Sequence, residues 1–270
     1  MRGKELSEAL RSGKRVYGTA IMSIAPNWPA AMASSGIDMA FIESEHTPMG
    51  RETLSMLCHS YAARGIAPVV RIPEPDPYGA CMVLDGGAQG VIVPYVESAA
   101  QVRELRGAVK LRPLKGDKLY DALEGREPLS EELETYLAKF NRNAVLIVNI
   151  ESIPAMNNLD EILAEPGLDA VLVGPHDLSI NLGIPEEYEN PLFLETISTI
   201  IRKARENNVG VGTHFFTSID QEIAWGKEGA NLIMHSSDFA LARATLGKDI
   251  AYIKNELGEE GEDSSGPVVV

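Results

Sequence analysis

Apolar runs rich in β-branched residues recur along the chain at 16–22, 38–43, 67–73, 90–96, 144–151, 169–174, 209–215 and 230–235. Continuous apolar runs of this length suit strands buried on both faces, as in a parallel sheet covered by helices. Amphipathic stretches at 50–64, 98–110, 153–164, 191–207 and 218–228 separate them. Alternation of strand and helix, repeated about eight times, predicts an α/β fold built from βα units.

The entries into the strands resemble one another. Gly36-Ile37-Asp38, Gly87-Ala88-Gln89-Gly90, Gly167-Leu168-Asp169 and Gly229-Ala230-Asn231 each follow a helical stretch. Glycine suits the left-handed residue that ends a helix, and a polar residue then opens the strand. Eight such units in 270 residues match a (β/α)8 TIM barrel in size. A doubly wound open sheet is the alternative, disfavoured because no glycine-rich phosphate-binding turn follows the first strand. The barrel is expected to span residues 1–257 as one domain. A polar insertion at about 111–143, carrying Pro113, Gly116, Gly125 and Pro128, breaks the rhythm between the fourth and fifth strands. It is expected to form two short helices, over the C-terminal mouth of the barrel or at a subunit contact. Residues 258–270 read as an acidic, disordered tail.

Composition narrows the function. The formal net charge is −15, which repels nucleic acid and anionic membranes. It does not exclude a small anionic substrate, because a metal ion or an arginine can invert the field within one cleft. The two cysteines, Cys58 and Cys81, imply no disulfide framework. The charged N-terminal stretch lacks the apolar core of a signal peptide, and no run of about 18 apolar residues marks a membrane span. The expectation is a cytoplasmic protein.

In a barrel, chemistry gathers at the C-terminal ends of the strands. Polar residues expected there are Glu43, Glu45 and His46 after the second strand and Arg71 at the third. The fifth gives Asn149 and Glu151, the sixth His176 and Asp177, the seventh His214 and the eighth His235. Glu151 and Asp177, on neighbouring strands, make a site for a hard divalent cation such as Mg²⁺ or Mn²⁺, with Co²⁺ a further candidate. The alternative for each is to cap the helix that follows. Arg71, closing an otherwise apolar strand, either pairs with a strand-end carboxylate or grips a substrate carboxylate or enolate oxygen. His46 is either a surface histidine or a general base. None of the ten lysines falls at a predicted strand end, so Schiff-base chemistry is disfavoured and carbanion chemistry would rely on a metal.

Four segments carry a family resemblance. Phe41-Ile42-Glu43-Ser44-Glu45-His46-Thr47-Pro48, Gly87-Ala88-Gln89-Gly90-Val91-Ile92-Val93-Pro94, Ile150-Glu151 and Val173-Gly174-Pro175-His176-Asp177-Leu178-Ser179 are similar to motifs of the HpcH/HpaI aldolases, metal-dependent pyruvate aldolases. The match runs in order from about residue 16 to residue 255. The resemblance implies a barrel of the phosphoenolpyruvate/pyruvate-binding type, often with its last helix exchanged between partners and assembled as a hexamer, a trimer of dimers. It implies Glu151 and Asp177 as metal ligands, Arg71 as enolate stabiliser and His46 as the base acting through a water. Asp85 matches a position that pairs with this histidine. Since Asp85 precedes the fourth strand, it could do so only from a neighbouring subunit.

The chain departs from the family pattern at Glu43, where Asp is usual, at Asn149, where Gln is usual, and at His176, which replaces a small residue. Residues 107–121 lack the Gly- and Arg-rich loop that helps bind the aldehyde. The implied reaction is reversible cleavage of a 4-hydroxy-2-oxo acid to pyruvate and an aldehyde through a metal-stabilised pyruvate enolate. Asn149 and the backbone N–H groups of Gly174, His176 and Asp177 would bind substrate. Two alternatives are a CoA-thioester lyase of the malyl-CoA or citryl-CoA type and a non-catalytic paralogue that binds 2-oxo acids. A His-rich metal hydrolase would want a His-x-His pair after the first strand, and residues 18–26 contain no histidine.

Overall fold

Eight parallel strands close into a barrel in chain order. They are β1 (Val16–Ile21), β2 (Met39–Glu43), β3 (Ala67–Arg71), β4 (Gly90–Val93), β5 (Val145–Ile150), β6 (Ala170–Val173), β7 (Gly210–Phe215) and β8 (Leu232–Ser237). The structure is a computed structural model that describes residues 1–215 and 218–259. The helices are α1 (Gly3–Ser12), α2 (Trp28–Met32), α3 (Arg51–Ala62), α4 (Pro77–Asp85), α5 (Ala99–Lys110), α6 (Gly116–Glu124) and α7 (Glu131–Phe140). They continue as α8 (Ile153–Asn157), α9 (Leu159–Ala164), α10 (Pro175–Asn181), α11 (Pro191–Glu206), α12 (Ile219–Glu228) and α13 (Asp238–Glu256). The expected (β/α)8 fold is therefore the one observed. No helix among the described residues is long and apolar enough to cross a membrane.

Strand alternation divides the core in two. Val16, Phe41, Val69, Ile92, Ile147, Leu172 and Leu232 fill the barrel interior. Ala40, Ile42, Val70, Val91, Leu146, Val148 and Val171 face the helices. Both layers exclude water, which is why the strands read as continuous apolar runs rather than alternating ones. Closure between β7 and β8 depends on Gly212, since a Cβ there would come within 1.8 Å of the Leu232 carbonyl oxygen.

The four similar joints share one geometry. Gly36, Gly87, Gly167 and Gly229 all have positive φ, at 85°, 106°, 87° and 134°, a conformation glycine adopts without penalty. The polar residues after them fasten the bottom of the barrel. Asn231 donates to the carbonyl of Leu10 at 2.8 Å and accepts from the Val211 N–H at 3.0 Å. Asp169 accepts from Ser7 and from Lys110 Nζ, each at 2.5 Å, and Gln89 accepts from the Gly3 N–H at 2.8 Å. Helix α1 is thereby pinned across the bottom, with Leu6, Ala9 and Leu10 plugging the interior.

The insertion forms two short helices, α6 and α7, as expected, but it does not lie over the mouth of its own barrel. Barrel helices run opposite to the strands, so a segment between the end of α5 and the start of β5 belongs to the bottom face. Asn141 donates to the carbonyls of Lys110 and Arg112 there, and Lys110 reaches Asp169 at the foot of β6. The expected tail lies almost wholly outside the described residues. Helix α13 leaves the barrel after one turn. Asp238 is buried and accepts the N–H groups of Met22 and Ser23, each at 3.0 Å, whereas every described residue from Leu241 onward is exposed.

Candidate active site

Glu151 follows β5 directly. The strand partner of Ile150 is Val173, the last residue of β6, so the next residues of both strands emerge side by side at the mouth. Asp177 is not at the strand end. It stands in the first turn of α10, which Pro175 opens with its preset φ. His176 likewise lies in α10 rather than at the end of β6. Gly174 joins the two elements. A Cβ on Gly174 would stand 2.9 Å from Glu151 Oε2 and 3.5 Å from Asp177 Oδ2. Both carboxylates therefore face one point, and it is open only because residue 174 has no side chain. The helix α10 is capped by Gly174 without a side-chain bond, so neither carboxylate serves as its N-cap.

Glu151 is buried and held from two directions. The Tyr95 N–H donates to Oε1 at 2.7 Å, and the Asn149 amide donates to Oε2 at 3.0 Å. Burial pushes the Glu151 carboxyl above the usual carboxylate range, the two hydrogen bonds oppose this, and the nearby Asp177 and Glu45 charges add to it. The other amide atom, Asn149 Oδ1, is buried without a hydrogen-bond partner. An orphaned buried acceptor beside two converging oxygens, in a cluster that disfavours its own negative charge, is the environment a hard cation relieves. No His, Cys or third carboxylate joins the pair in a metal-holding cluster among the described residues. Most of an octahedral shell would thus be left to water and substrate oxygens.

On the β2–β3 side, Arg71 is ion-paired through Nη2 with Glu43 Oε2. Its Nε lies 3.1 Å from Glu45 Oε2, yet neither atom makes a hydrogen bond. The contact is charge pairing without alignment. The guanidinium stacks on Phe41, 5.3 Å from the ring centroid. Glu43 also shapes the loop that carries His46, because its Oε1 accepts the N–H groups of Glu45 at 2.8 Å and His46 at 3.1 Å. His46 Nε2 lies 3.8 Å from Glu45 Oε2. The longer side chain at position 43 therefore still reaches both the arginine and the histidine loop. Arg71 forms the structural pair expected as one of its two readings, and it does so at the mouth where a substrate anion would meet it.

The remaining sequence candidates are placed elsewhere. His176 is exposed, with Nδ1 3.6 Å from Glu186 Oε1. Asp85 ends α4 at the bottom of the barrel; its side chain is 76% exposed and pairs with Arg112 at 2.8 Å. His214 points into the barrel against Phe41 and bonds the Ser236 carbonyl at 3.0 Å. Burial depresses its pKa and the Arg71 charge adds to this, while the bond to Ser236 opposes it. His235 is turned to the outer layer, where Nδ1 meets both oxygens of buried Glu222 at 3.0 and 3.1 Å.

Sequence reasoning missed Tyr95. It follows Pro94 at the end of β4, and its φ of 56° is rare for a non-glycine residue. Its backbone N–H holds Glu151, and its phenol is pushed up to about 12, chiefly by the Glu45 carboxylate, with burial and the Glu151 and Asp177 charges adding to it. The one signal available was an aromatic residue placed directly after an apolar strand and a proline.

Glu151 and Asp177, Arg71 with Glu43 and Glu45, and His46 thus stand around the C-terminal ends of the strands of a closed (β/α)8 barrel, and among the described residues no lysine ends a strand there. The sequence model of the HpcH/HpaI aldolase/citrate lyase family matches residues 21–244, and the chain belongs to that family. The 2-keto-3-deoxy-L-rhamnonate aldolases of Escherichia coli strain K12 and Shigella sonnei strain Ss046 are each 32% identical to it over 264 residues, 96% of both chains. Among solved structures, the HpcH/HpaI aldolase from Desulfitobacterium hafniense DCB-2 superposes with a TM-score of 0.80 at 27% identity, covering 97% of this chain and 99% of that one. An HpcH/HpaI aldolase/citrate lyase family protein from Burkholderia cenocepacia J2315 shares the fold, with a TM-score of 0.79 at 22% identity over 93% and 99% of the two chains.

Proposed function

We propose that the chain is a divalent-metal-dependent aldolase that reversibly cleaves a 4-hydroxy-2-oxo acid to pyruvate and an aldehyde. The convergence of Glu151 and Asp177 on the space left by Gly174 carries this reading. Those two residues would hold the ion, Mg²⁺ or Mn²⁺ by the hardness of their oxygens, with Co²⁺ a further candidate. When bound, the ion polarises the 2-oxo group and offsets the charge that develops on it. The N–H groups of Gly174, His176 and Asp177, with Asn149, would orient the substrate carboxylate and keto oxygen. His46, with Glu45 beside it, takes the 4-hydroxyl proton through a water. The bond between carbons three and four then breaks, its electron pair passing to the pyruvate fragment as the aldehyde forms. Arg71, fixed by Glu43, faces the enolate oxygen. The names of the relatives make a 2-keto-3-deoxy sugar acid the first substrate to try.

Assembly belongs to the same proposal. Helix α13 exposes Leu246, Ile250, Tyr252, Ile253 and Leu257 to solvent, and Tyr17, Ile219 and Ile223 on the flank of β1 and α12 are also uncovered. Apolar surface of this extent, on a helix whose described residues from Leu241 onward are all exposed, supports exchange of α13 with a second copy, in a hexamer built as a trimer of dimers. Such an assembly would also bring a partner's Asp85 toward His46. Free, buried Cys58, pushed up to about 12 by burial, and free Cys81 support a reducing, cytoplasmic setting. The test is pyruvate release from 4-hydroxy-2-oxo acids. It is expected to stop on chelation, to return with Mg²⁺ or Mn²⁺, and to fall at least 100-fold in His46→Ala. Full activity in metal-free protein or in His46→Ala would overturn these roles.

A further inference from the structure

Arg71 is the cation that the proposed reaction sets against the enolate, and its own ion pairs do little to fix the plane of its guanidinium. Nη2 is paired with Glu43, while Nε, although near Glu45, makes no hydrogen bond. A guanidinium held at one nitrogen can swing about that contact. What meets its flat face is Phe41, whose ring centroid lies 5.3 Å from the Arg71 Cζ. Phe41 is wholly buried in the barrel interior, so the tilt of its ring sets the plane on which the guanidinium rests.

Phe41 is met in turn by His214. The two ring centroids are 5.4 Å apart and the planes cross at 60°, an edge-to-face contact. In barrel order β1 and β8 separate β2 from β7, so this contact crosses the interior. His214 is itself anchored. Its Nε2 lies 3.0 Å from the Ser236 carbonyl oxygen. A carbonyl only accepts, so Nε2 carries a hydrogen and the rotation of the ring is fixed. Thr19 Oγ1 donates to the same oxygen at 3.2 Å. Ser236 has a φ of 53°, which a non-glycine residue keeps only where its surroundings over-determine it. Two donors, from β1 and β7, thus hold one carbonyl of β8. An aliphatic residue at 214 would fill the interior as Leu172 and Leu232 do, but it could neither bond this carbonyl nor offer Phe41 a ring.

We propose that His214 is a positioning residue for the reaction: anchored to Ser236, it holds the Phe41 ring, and through that ring the Arg71 guanidinium, in the plane that faces the developing enolate. This rests on the aldolase reading and adds a residue that acts through another.

The test is exchange of the pyruvate methyl protons with solvent deuterium at saturating Mg²⁺ or Mn²⁺. It compares wild type, His214→Gln, His214→Phe and Phe41→Leu, each checked by its melting curve. In His214→Gln the amide can still donate toward Ser236, but the ring is gone. Its kcat should fall about 3–10-fold. KM for pyruvate should stay within about twofold, because the lost alignment acts on charge that develops only in the transition state. His214→Phe restores a ring and loses the donor. It should melt about 1–6 °C below wild type, yet recover at least about half of the wild-type kcat. Phe41→Leu should lower kcat about as far as His214→Gln, and the double variant no further. A merely structural role would instead make kcat follow the melting temperature. Unchanged kcat in His214→Gln, a loss in His214→Phe as large as in His214→Gln, or additive losses in the double variant would overturn the positioning role alone. Wild type without metal-dependent exchange would overturn the aldolase reading and this role with it.

Discussion

Gly174→Ala perturbs the metal-binding geometry at a position whose backbone alanine can adopt. The backbone at 174 has φ −88° and ψ 98°, which alanine adopts without strain. Through the unfolded chain alone the change would stabilise by roughly 0.4–1 kcal/mol. The new methyl would approach Glu151 Oε2 to 2.9 Å and Glu151 Cβ to 3.4 Å, so the carboxylate has to move. It is held by the Tyr95 N–H at 2.7 Å and the Asn149 amide at 3.0 Å. Losing one such bond to a charged group costs about 1.5–3 kcal/mol, equivalent to roughly 10–100-fold in affinity. Mn²⁺ binding, followed by electron paramagnetic resonance or calorimetry, should therefore weaken about 10–100-fold. The same lost bond, less the gain through the unfolded chain, should lower the metal-free melting temperature by no more than about 10 °C. Wild-type Mn²⁺ affinity in Gly174→Ala would refute the placement of the ion between Glu151 and Asp177.

Three further outcomes follow from other parts of the structure. Asn231→Ala strips partners from the Leu10 carbonyl and the Val211 N–H and should lower stability in urea by about 2–4 kcal/mol. A loss under 0.5 kcal/mol would contradict the role of that joint. His214 has a depressed folded pKa, so the unfolded chain binds its proton first as pH falls. Stability it contributes is complete above the unfolded value near 6.5 and declines below it, by at most about 1.4 kcal/mol per pH unit. Melting between pH 7.5 and 5.5 should accordingly steepen less in His214→Asn than in wild type, and equal slopes would contradict this. Removing the chain from residue 239 onward takes away the exposed apolar helix, and sedimentation should show monomers; an intact oligomer would contradict helix exchange.

How far the sequence could be read depended on how each contact is built. The strands were legible because their two faces are both buried, so Val91, Ile92 and Val93 or Leu146, Ile147 and Val148 form unbroken runs. The joints were legible because only glycine takes the φ they need. Helix α1 was passed over as a charged segment, although Leu6, Ala9 and Leu10 carry the spacing of an apolar face. Glu151 and Asp177 could be assigned to neighbouring strand ends, but the turn that seats Asp177 in α10 depends on Gly174 and Pro175. The position of the insertion required the direction of α5 as well as its order in the chain. Tyr95 could not be found, because its role lies in a backbone conformation and in an N–H that holds Glu151, far along the chain. Glu43 and Asn149 departed from the family pattern, yet the structure gives both a use, the first toward Arg71 and the second toward Glu151.

The central claim is that Glu151 and Asp177 together hold a divalent ion that promotes enolisation of pyruvate. Proton exchange at the pyruvate methyl group, read by nuclear magnetic resonance in deuterated buffer, tests it without knowledge of the aldehyde. Wild type should exchange only when Mg²⁺ or Mn²⁺ is present, and Glu151→Gln should be at least 100-fold slower at the same ion concentration. Exchange at the wild-type rate in Glu151→Gln, or in protein stripped of metal, would contradict the account.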